Sequence, residues 1–238
     1  MYKFAADISR VVINLVSPLL IIFLVGMGIG DLVELPFAGP NFTEFFAAGL
    51  IAVAAMGSAI QIGVSLIRDR EGAIGNLLVA PISRAALLLG KMLAELTEQG
   101  MTFLVALAIF LSSAHVPLLG FLKAIPIVAL LVVGFSSFGI IASMVFFSTK
   151  AYNSFLTFVI SPLIFLSGAF FPLESFPPIL RVLSLLNPLT YGVDAIRAAV
   201  FGTSTLGMTF DLIVLVPFAA ITFGLSWWLF EQREFKLW

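Results

Sequence analysis

The sequence predicts an all-α integral membrane domain: six transmembrane helices, a short cytoplasmic helix between spans 2 and 3, and two short re-entrant helices between spans 5 and 6. Three observations carry that prediction. The 238 residues are 61% hydrophobic and 11% charged, with a mean hydropathy of +1.16. A soluble fold of this size needs far more polar surface than 12 basic and 13 acidic side chains supply. Apolar stretches long enough to cross a bilayer recur from one end of the chain to the other. Finally, Lys and Arg divide unequally between the two sets of connections, as they do in multi-pass membrane proteins. No compositional break interrupts the pattern, so residues 1–238 read as a single domain.

About 20 apolar residues, each rising about 1.5 Å, cross a hydrocarbon core of about 30 Å. Six stretches meet that length: Val11 to Gly30, Phe45 to Ile67, Gly100 to Leu119, Ala124 to Phe147, Asn153 to Phe171 and Leu212 to Phe230. The first follows Lys3 and Arg10 as a secretory leader would. It is too long for a leader's apolar core and no A-x-A cleavage pattern follows, so it reads as an anchor that stays. Gly26 and Gly30 form a G-x-x-x-G pair suited to close helix packing. Nine of the 12 basic residues fall on one side: Lys3, Arg10, Arg68, Arg70, Arg84, Lys91, Lys150, Arg233 and Lys236. Only Lys123, Arg181 and Arg197 fall on the other. The excess places both termini and the 68–91 connection in the cytoplasm.

That connection carries six charges in 24 residues (Arg68, Asp69, Arg70, Glu71, Arg84 and Lys91). Ile74, Leu77 and Leu78 are spaced i, i+3, i+4, which predicts a helix from about Glu71 to Ala80 with one apolar stripe. Pro81 stops it, and Ser83 can cap a following helix that runs through Lys91 into the third span. Ten residues cannot hold a core of their own. The helix either lies on the membrane surface or docks as a knob into a cleft on a soluble partner. Lys91, Glu95 and Glu98 share one face at the membrane entry, either solvated or rimming an inner cavity.

The six stretches contain no Asp, Glu, Lys or Arg. Gradient-driven carriers and pumps ordinarily need such a group, or unwound helices, at mid-membrane. No phosphate-cradling loop supplies energy either, since Gly90-Lys91 is followed by Met92 and position 85 is Ala. With no Cys and one His, His115, disulfides, thiolate nucleophiles and the usual zinc sets are excluded. A net charge of −1 without a basic stripe argues against nucleic acid. An intramembrane enzyme would require a catalytic dyad or metal set that these spans lack. A self-contained channel or gradient-driven secondary transporter remains the alternative to a permease powered from outside.

Mild polar residues do occur. Ser58, Gln61 and Ser65 lie on one face of the second span; Thr157 and Ser161 lie on one face of the fifth, with Phe165 a turn beyond. In lipid such faces turn toward other helices or toward a path. Between spans 5 and 6, Ser167 to Gly202 is apolar but broken. Pro177-Pro178 opens one short helix, Asn187-Pro188 ends it, and a second runs from about Leu189 to Phe201 with Gly202 as its stop. Neither is long enough to cross, so both should dip into or lie along the outer leaflet. Asp194 and Arg197, at i, i+3, are positioned to pair.

These residues resemble the permease subunits of ABC-2 type ATP-binding-cassette exporters. EGAIGNLLVAPISRAALLLGK, Glu71 to Lys91, is similar to the family's inner loop: an acidic residue, a Leu-Leu pair, then Pro-Ile-Ser ahead of Leu-Gly-Lys. SGAFFPLESFP followed by NPLTYGVDAIR, Asn187 to Arg197, is similar to its outer re-entrant region. The resemblance implies a transport subunit exporting an amphipathic or hydrophobic cargo (drug, lipid or glycolipid) across the cytoplasmic membrane. It implies a homodimer, or a dimer with a close paralogue, each permease receiving a cytosolic ATPase that holds ATP and Mg; this chain itself binds no cofactor. It makes Glu71 to Ala80 the coupling helix, with Glu71, Gly72, Ile74, Asn76, Leu77, Leu78 and Pro81 contacting the ATPase. It places Ser58, Gln61, Ser65, Thr157, Ser161 and Phe165 along the path, and Asn187, Pro188, Tyr191, Asp194 and Arg197 in the outer region. The family's amphipathic helix before the first span is expected to be reduced or missing, since about ten residues precede Val11.

Overall fold

The computed structural model describes residues 20–22, 24–25, 28, 42–70, 84–112 and 118–232. Every regular element among them is helical: α1 (Phe42–Ile60), α2 (Ile62–Arg68), α3 (Arg84–Ser112), α4 (Leu118–Ser143), α5 (Thr149–Leu166), a 3-10 turn (Leu173–Ser175), α6 (Pro178–Leu185), α7 (Pro188–Phe201) and α8 (Met208–Gln232). The described part of the first apolar stretch is helical as well, and Ile22 enters the main core. The predicted helix at Glu71 to Ala80, the Pro81 stop, the Ser83 cap, the Gly26–Gly30 pair and His115 lie outside the described residues.

Among the described residues, three helices are long and apolar enough to cross a membrane: the α1–α2 rod (Phe42–Arg68), α4 and α8. The pair α6 and α7, bent by 85°, meets the test only if taken as one broken span. α3 has the length, but its first half carries Arg84, Lys91, Glu95 and Glu98; α5 opens on Thr149, Lys150 and Asn153. Several boundaries differ from the sequence expectation. Leu118 and Leu119, assigned above to the third stretch, begin α4, directly after Pro117, a residue suited to a helix start rather than a helix interior. α5 begins at Thr149 rather than Asn153 because Ser148 caps it, its side chain accepting from the Ala151 amide at 3.2 Å. It ends at Leu166 rather than Phe171, where Ser167 turns the chain and Gly168 takes φ +76°.

α4 is the central helix, packed against α8, α1, α7, α2 and α3. Its Phe121, Ala124, Ile127, Leu131 and Phe135 meet Ala47, Ala52, Ala55 and Met56 of α1 and Leu189, Val193 and Ile196 of α7 in the main core. With lipid as apolar as the core, small residues that let helices approach closely contribute as much as bulk. The helices alternate in direction. Phe42 of α1, Leu118 of α4, the end of α5, α7 and the start of α8 gather at one end of the bundle, hereafter the Phe42 end. Ile62, Leu66, Leu88, Met92, Ile140, Met144 and Phe230 form a second cluster at the opposite, Arg68, end.

Candidate functional site

The predicted polar faces of spans 2 and 5 are not brought together within the chain. Ser58 and Ser65 are half-buried and turn toward α3, where Gln99 donates to the Ser58 hydroxyl and Lys91 to that of Ser65. Gln61 is exposed at the break between α1 and α2, where the ladder is carried by its backbone: its amide donates to Ser58 at 3.0 Å and its carbonyl accepts from Ser65 at 3.2 Å. Thr157, Ser161 and Phe165 lie on the exposed side of α5, together with Phe158, which is 81% exposed. The Thr157 hydroxyl bonds back to Asn153 of its own helix at 3.0 Å, as an isolated helix-face threonine does. Only Tyr152 and Leu156 of α5 are fully buried.

At the Arg68 end, polar contacts tie five helices, α1 to α5. Lys91 of α3 pairs with Asp69 at 2.8 Å, just past α2, so it is engaged rather than merely solvated. Arg70 donates to the Ser143 carbonyl at the end of α4 at 3.0 Å. The Tyr152 hydroxyl of α5 lies 2.9 Å from the Ile60 carbonyl and 3.1 Å from that of Gly139. Ile60 is the last residue of α1, and terminal carbonyls lack intrahelical partners. Gly63 makes the approach possible, because a Cβ there would collide with the Tyr152 ring and the Gly139 carbonyl. Sequence reasoning missed Tyr152 by starting the span one residue later. Its signal was present: a Tyr in an apolar helix needs a partner for its hydroxyl.

At the Phe42 end, α6 and α7 form an elbow held by its own hydrogen bonds and tied to α5. The Asn187 side chain caps α7, accepting from the Leu189 amide at 3.0 Å, while its Nδ2 donates to Leu163 of α5 at 2.7 Å. Pro188 follows at the first helical position, where a missing N–H costs nothing. Thr190 donates to Ser184 at 2.7 Å and Tyr191 to Leu185 at 2.6 Å, supplying partners for the terminal carbonyls of α6. α7 ends at Gly202, whose φ of +72° suits glycine.

The Asp194–Arg197 pair expected from their spacing does not form. Arg197 is buried and turns toward α1 and the segment after α5: it donates to Phe45 at 3.1 and 3.3 Å, Gly168 at 2.9 Å and Ala169 at 3.2 Å. Its guanidinium also sits 3.5 Å from the Phe45 ring centroid. Asp194 turns instead to the α7–α8 connection. It accepts from the Ser204 hydroxyl at 2.7 Å, the Thr205 amide at 2.9 Å and the Leu206 amide at 2.8 Å. Residues at i, i+3 share a face but need not share a partner; three carbonyls outcompete one carboxylate here because the guanidinium is a planar fork with several donors.

The bundle thus offers an exposed polar-aromatic face on α5, a tied Arg68 end and a closed elbow at the Phe42 end. Among the described residues no group of His, Cys, Asp or Glu could hold a metal ion. The ABC-2 type transporter family model matches residues 3–201. The chain belongs to the ABC-2 type transporter family. Similar proteins agree. Nodulation protein J of Rhizobium leguminosarum bv. viciae is 27% identical over 233 residues, 96% of this chain and 89% of that protein. Nodulation protein J of Sinorhizobium fredii is 29% identical over 236 residues, covering 96% and 88%. A protein of Cyanophora paradoxa named as transport permease ycf38 is 29% identical over 201 residues, covering 77% and 69%. The ABC-2 permease is therefore a membrane-embedded transport subunit and not itself the catalyst. The predicted coupling residues Glu71, Gly72, Ile74, Asn76, Leu77, Leu78 and Pro81 fall within the matched stretch but outside the described residues.

Proposed function

We propose that this ABC-2 permease exports an amphipathic or hydrophobic cargo, such as a drug, lipid or glycolipid, across the cytoplasmic membrane. The work comes from ATP hydrolysed, with Mg, on a separate cytosolic ATP-binding-cassette subunit. That subunit grips the coupling helix at Glu71 to Ala80. The permease crosses the membrane six times with both termini cytoplasmic, and it pairs with a second copy or a close paralogue.

The observation that carries this reading is α5. Thr157, Phe158 and Ser161 run along an exposed face, with Phe165, whose ring also meets Phe170, a turn beyond. Lipid alone would not favour the two hydroxyls. A facing permease gives them a partially polar cleft, and the alternating Phe rings give an acyl or aromatic portion of the cargo a surface to slide on. Its test is reconstitution with the cognate ATPase in vesicles, followed by movement of fluorescent phospholipid, glycolipid and cationic dye probes. ATP-dependent movement of at least one probe, absent without the ATPase, is expected. Transport by the permease alone would mean a channel or gradient-driven carrier instead. Cysteines at Phe158 and Phe165 should cross-link between two copies; their failure to do so would remove the proposed dimer path.

A further inference from the structure

Pro162 sits inside α5, on its exposed side. A proline has no amide hydrogen to give the carbonyl four residues back, and its ring crowds that carbonyl. The Phe158 carbonyl, midway along Thr149–Leu166, therefore lacks its α-helical donor. The Ser154 and Thr157 hydroxyls are engaged, donating to Lys150 at 3.1 Å and to Asn153 at 3.0 Å. The Ser161 hydroxyl, one turn beyond Phe158, is exposed and has no partner among the described residues. Pro126 of α4 and Pro217 of α8 free the Leu122 and Ile213 carbonyls in the same way, but no hydroxyl stands three residues beyond either.

A mid-span carbonyl without a donor is costly in hydrocarbon, where no water takes the donor's place. The notch on α5 thus offers one unmet acceptor beside a hydroxyl that can donate or accept. What complements it is a group that brings its own hydrogen-bond donor into the membrane. An amide linkage does so through its N–H; an ester has acceptors only and leaves the carbonyl unmet. Above and below stand the rings of Phe158, 81% exposed, and Phe165, 57% exposed, seven residues apart on one helix face.

We propose that the Phe158 carbonyl and the Ser161 hydroxyl form a binding site for the head–tail junction of an N-acylated amphipath. The amide N–H donates to the Phe158 carbonyl, the Ser161 hydroxyl takes the next polar atom of the junction, and the acyl chain lies on the two Phe rings. The inference rests on the export reading above and narrows its cargo to molecules whose polar and apolar parts are joined by an amide rather than an ester. Such a linkage would otherwise cross the hydrocarbon with its N–H unbonded.

The test reconstitutes the full chain with its cognate ATPase in phosphatidylcholine vesicles. Two photoactivatable probes with the same phosphocholine head and the same diazirine acyl chain are compared: a sphingomyelin, whose junction carries an amide N–H, and a diacyl phosphatidylcholine, whose junction carries esters. Peptides covering residues 153–166 should be labelled about fivefold more by the sphingomyelin probe, the preference that one hydrogen bond gives. Pro162→Ala returns an amide to the Phe158 carbonyl, and the ratio should fall to near one. Ser161→Ala should lower the ratio part-way, and Ser161→Thr, which keeps the hydroxyl, should restore it. Equal labelling by the two probes in the wild type, or an unchanged ratio in Pro162→Ala, would overturn the proposal. A preference at α5 without ATP-driven movement of either probe removes the export reading and leaves the amide site standing. ATP-driven movement of both probes without a labelling preference does the reverse.

Discussion

The Tyr152 hydroxyl reaches 2.9 Å to the Ile60 carbonyl, joining residues 92 apart in sequence and fastening α5 to the junction of α1 and α2. Removing it in Tyr152→Phe keeps the ring in place and leaves the buried Ile60 carbonyl, at the end of α1, short of a donor. A loss of about 1 kcal/mol is expected, read as a lower midpoint in detergent unfolding. Gly63→Ala should cost more than Tyr152→Phe, because its methyl group displaces the ring itself.

Arg197 satisfies three carbonyls from two separate segments while buried. Arg197→Met should destabilise by about 2 kcal/mol or more, since the Gly168 and Ala169 carbonyls, which lie outside the helices, each lose a donor at about 1 kcal/mol and upward. Arg197→Lys retains the charge but not the planar fork, and should fall between wild type and Met. Monodisperse yield by fluorescence-detected gel filtration, with thermal midpoints, orders the three.

Asn187 does two jobs with one side chain: its oxygen caps α7 and its nitrogen ties the elbow to α5. Asn187→Asp keeps the cap and loses the tie, whereas Asn187→Ala loses both. The alanine variant should therefore be less stable by about 1 to 2 kcal/mol, with the aspartate variant intermediate. Equal effects would mean that only one of the two bonds contributes.

Replacing Glu71 and Leu77 together, by Lys and Ala, should abolish co-purification of the cognate ATPase and ATP-driven export while leaving permease yield unchanged. Export at the wild-type level would remove residues 71–80 from the ATPase contact.

Legibility followed the physics of each signal. The helices were readable because length and apolarity decide them, and the elbow because Pro178, Asn187-Pro188 and Gly202 each impose a local backbone rule. Boundaries slipped where apolar residues continue past a helix end, as at Leu118–Leu119 and at Ala169–Phe171, since hydropathy does not register a turn. The family followed from the inner-loop and outer-region motifs. Tertiary partners were not readable. Spacing placed Asp194 beside Arg197 on one helix face, but their bonds depend on Gly168, Ala169 and Ser204, whose positions are set by the fold. The two polar stripes likewise shared a composition and ended on different surfaces: Ser58 and Ser65 against Gln99 and Lys91, Thr157 and Ser161 outside.

The ion pair between Asp69 and Lys91 has a mechanical meaning. The end of α2 is clipped to α3 about two turns beyond that helix's start at Arg84. Arg70, bonded to the Ser143 carbonyl, ties the same end to the central helix, so the end of α2 is fastened to both α3 and α4.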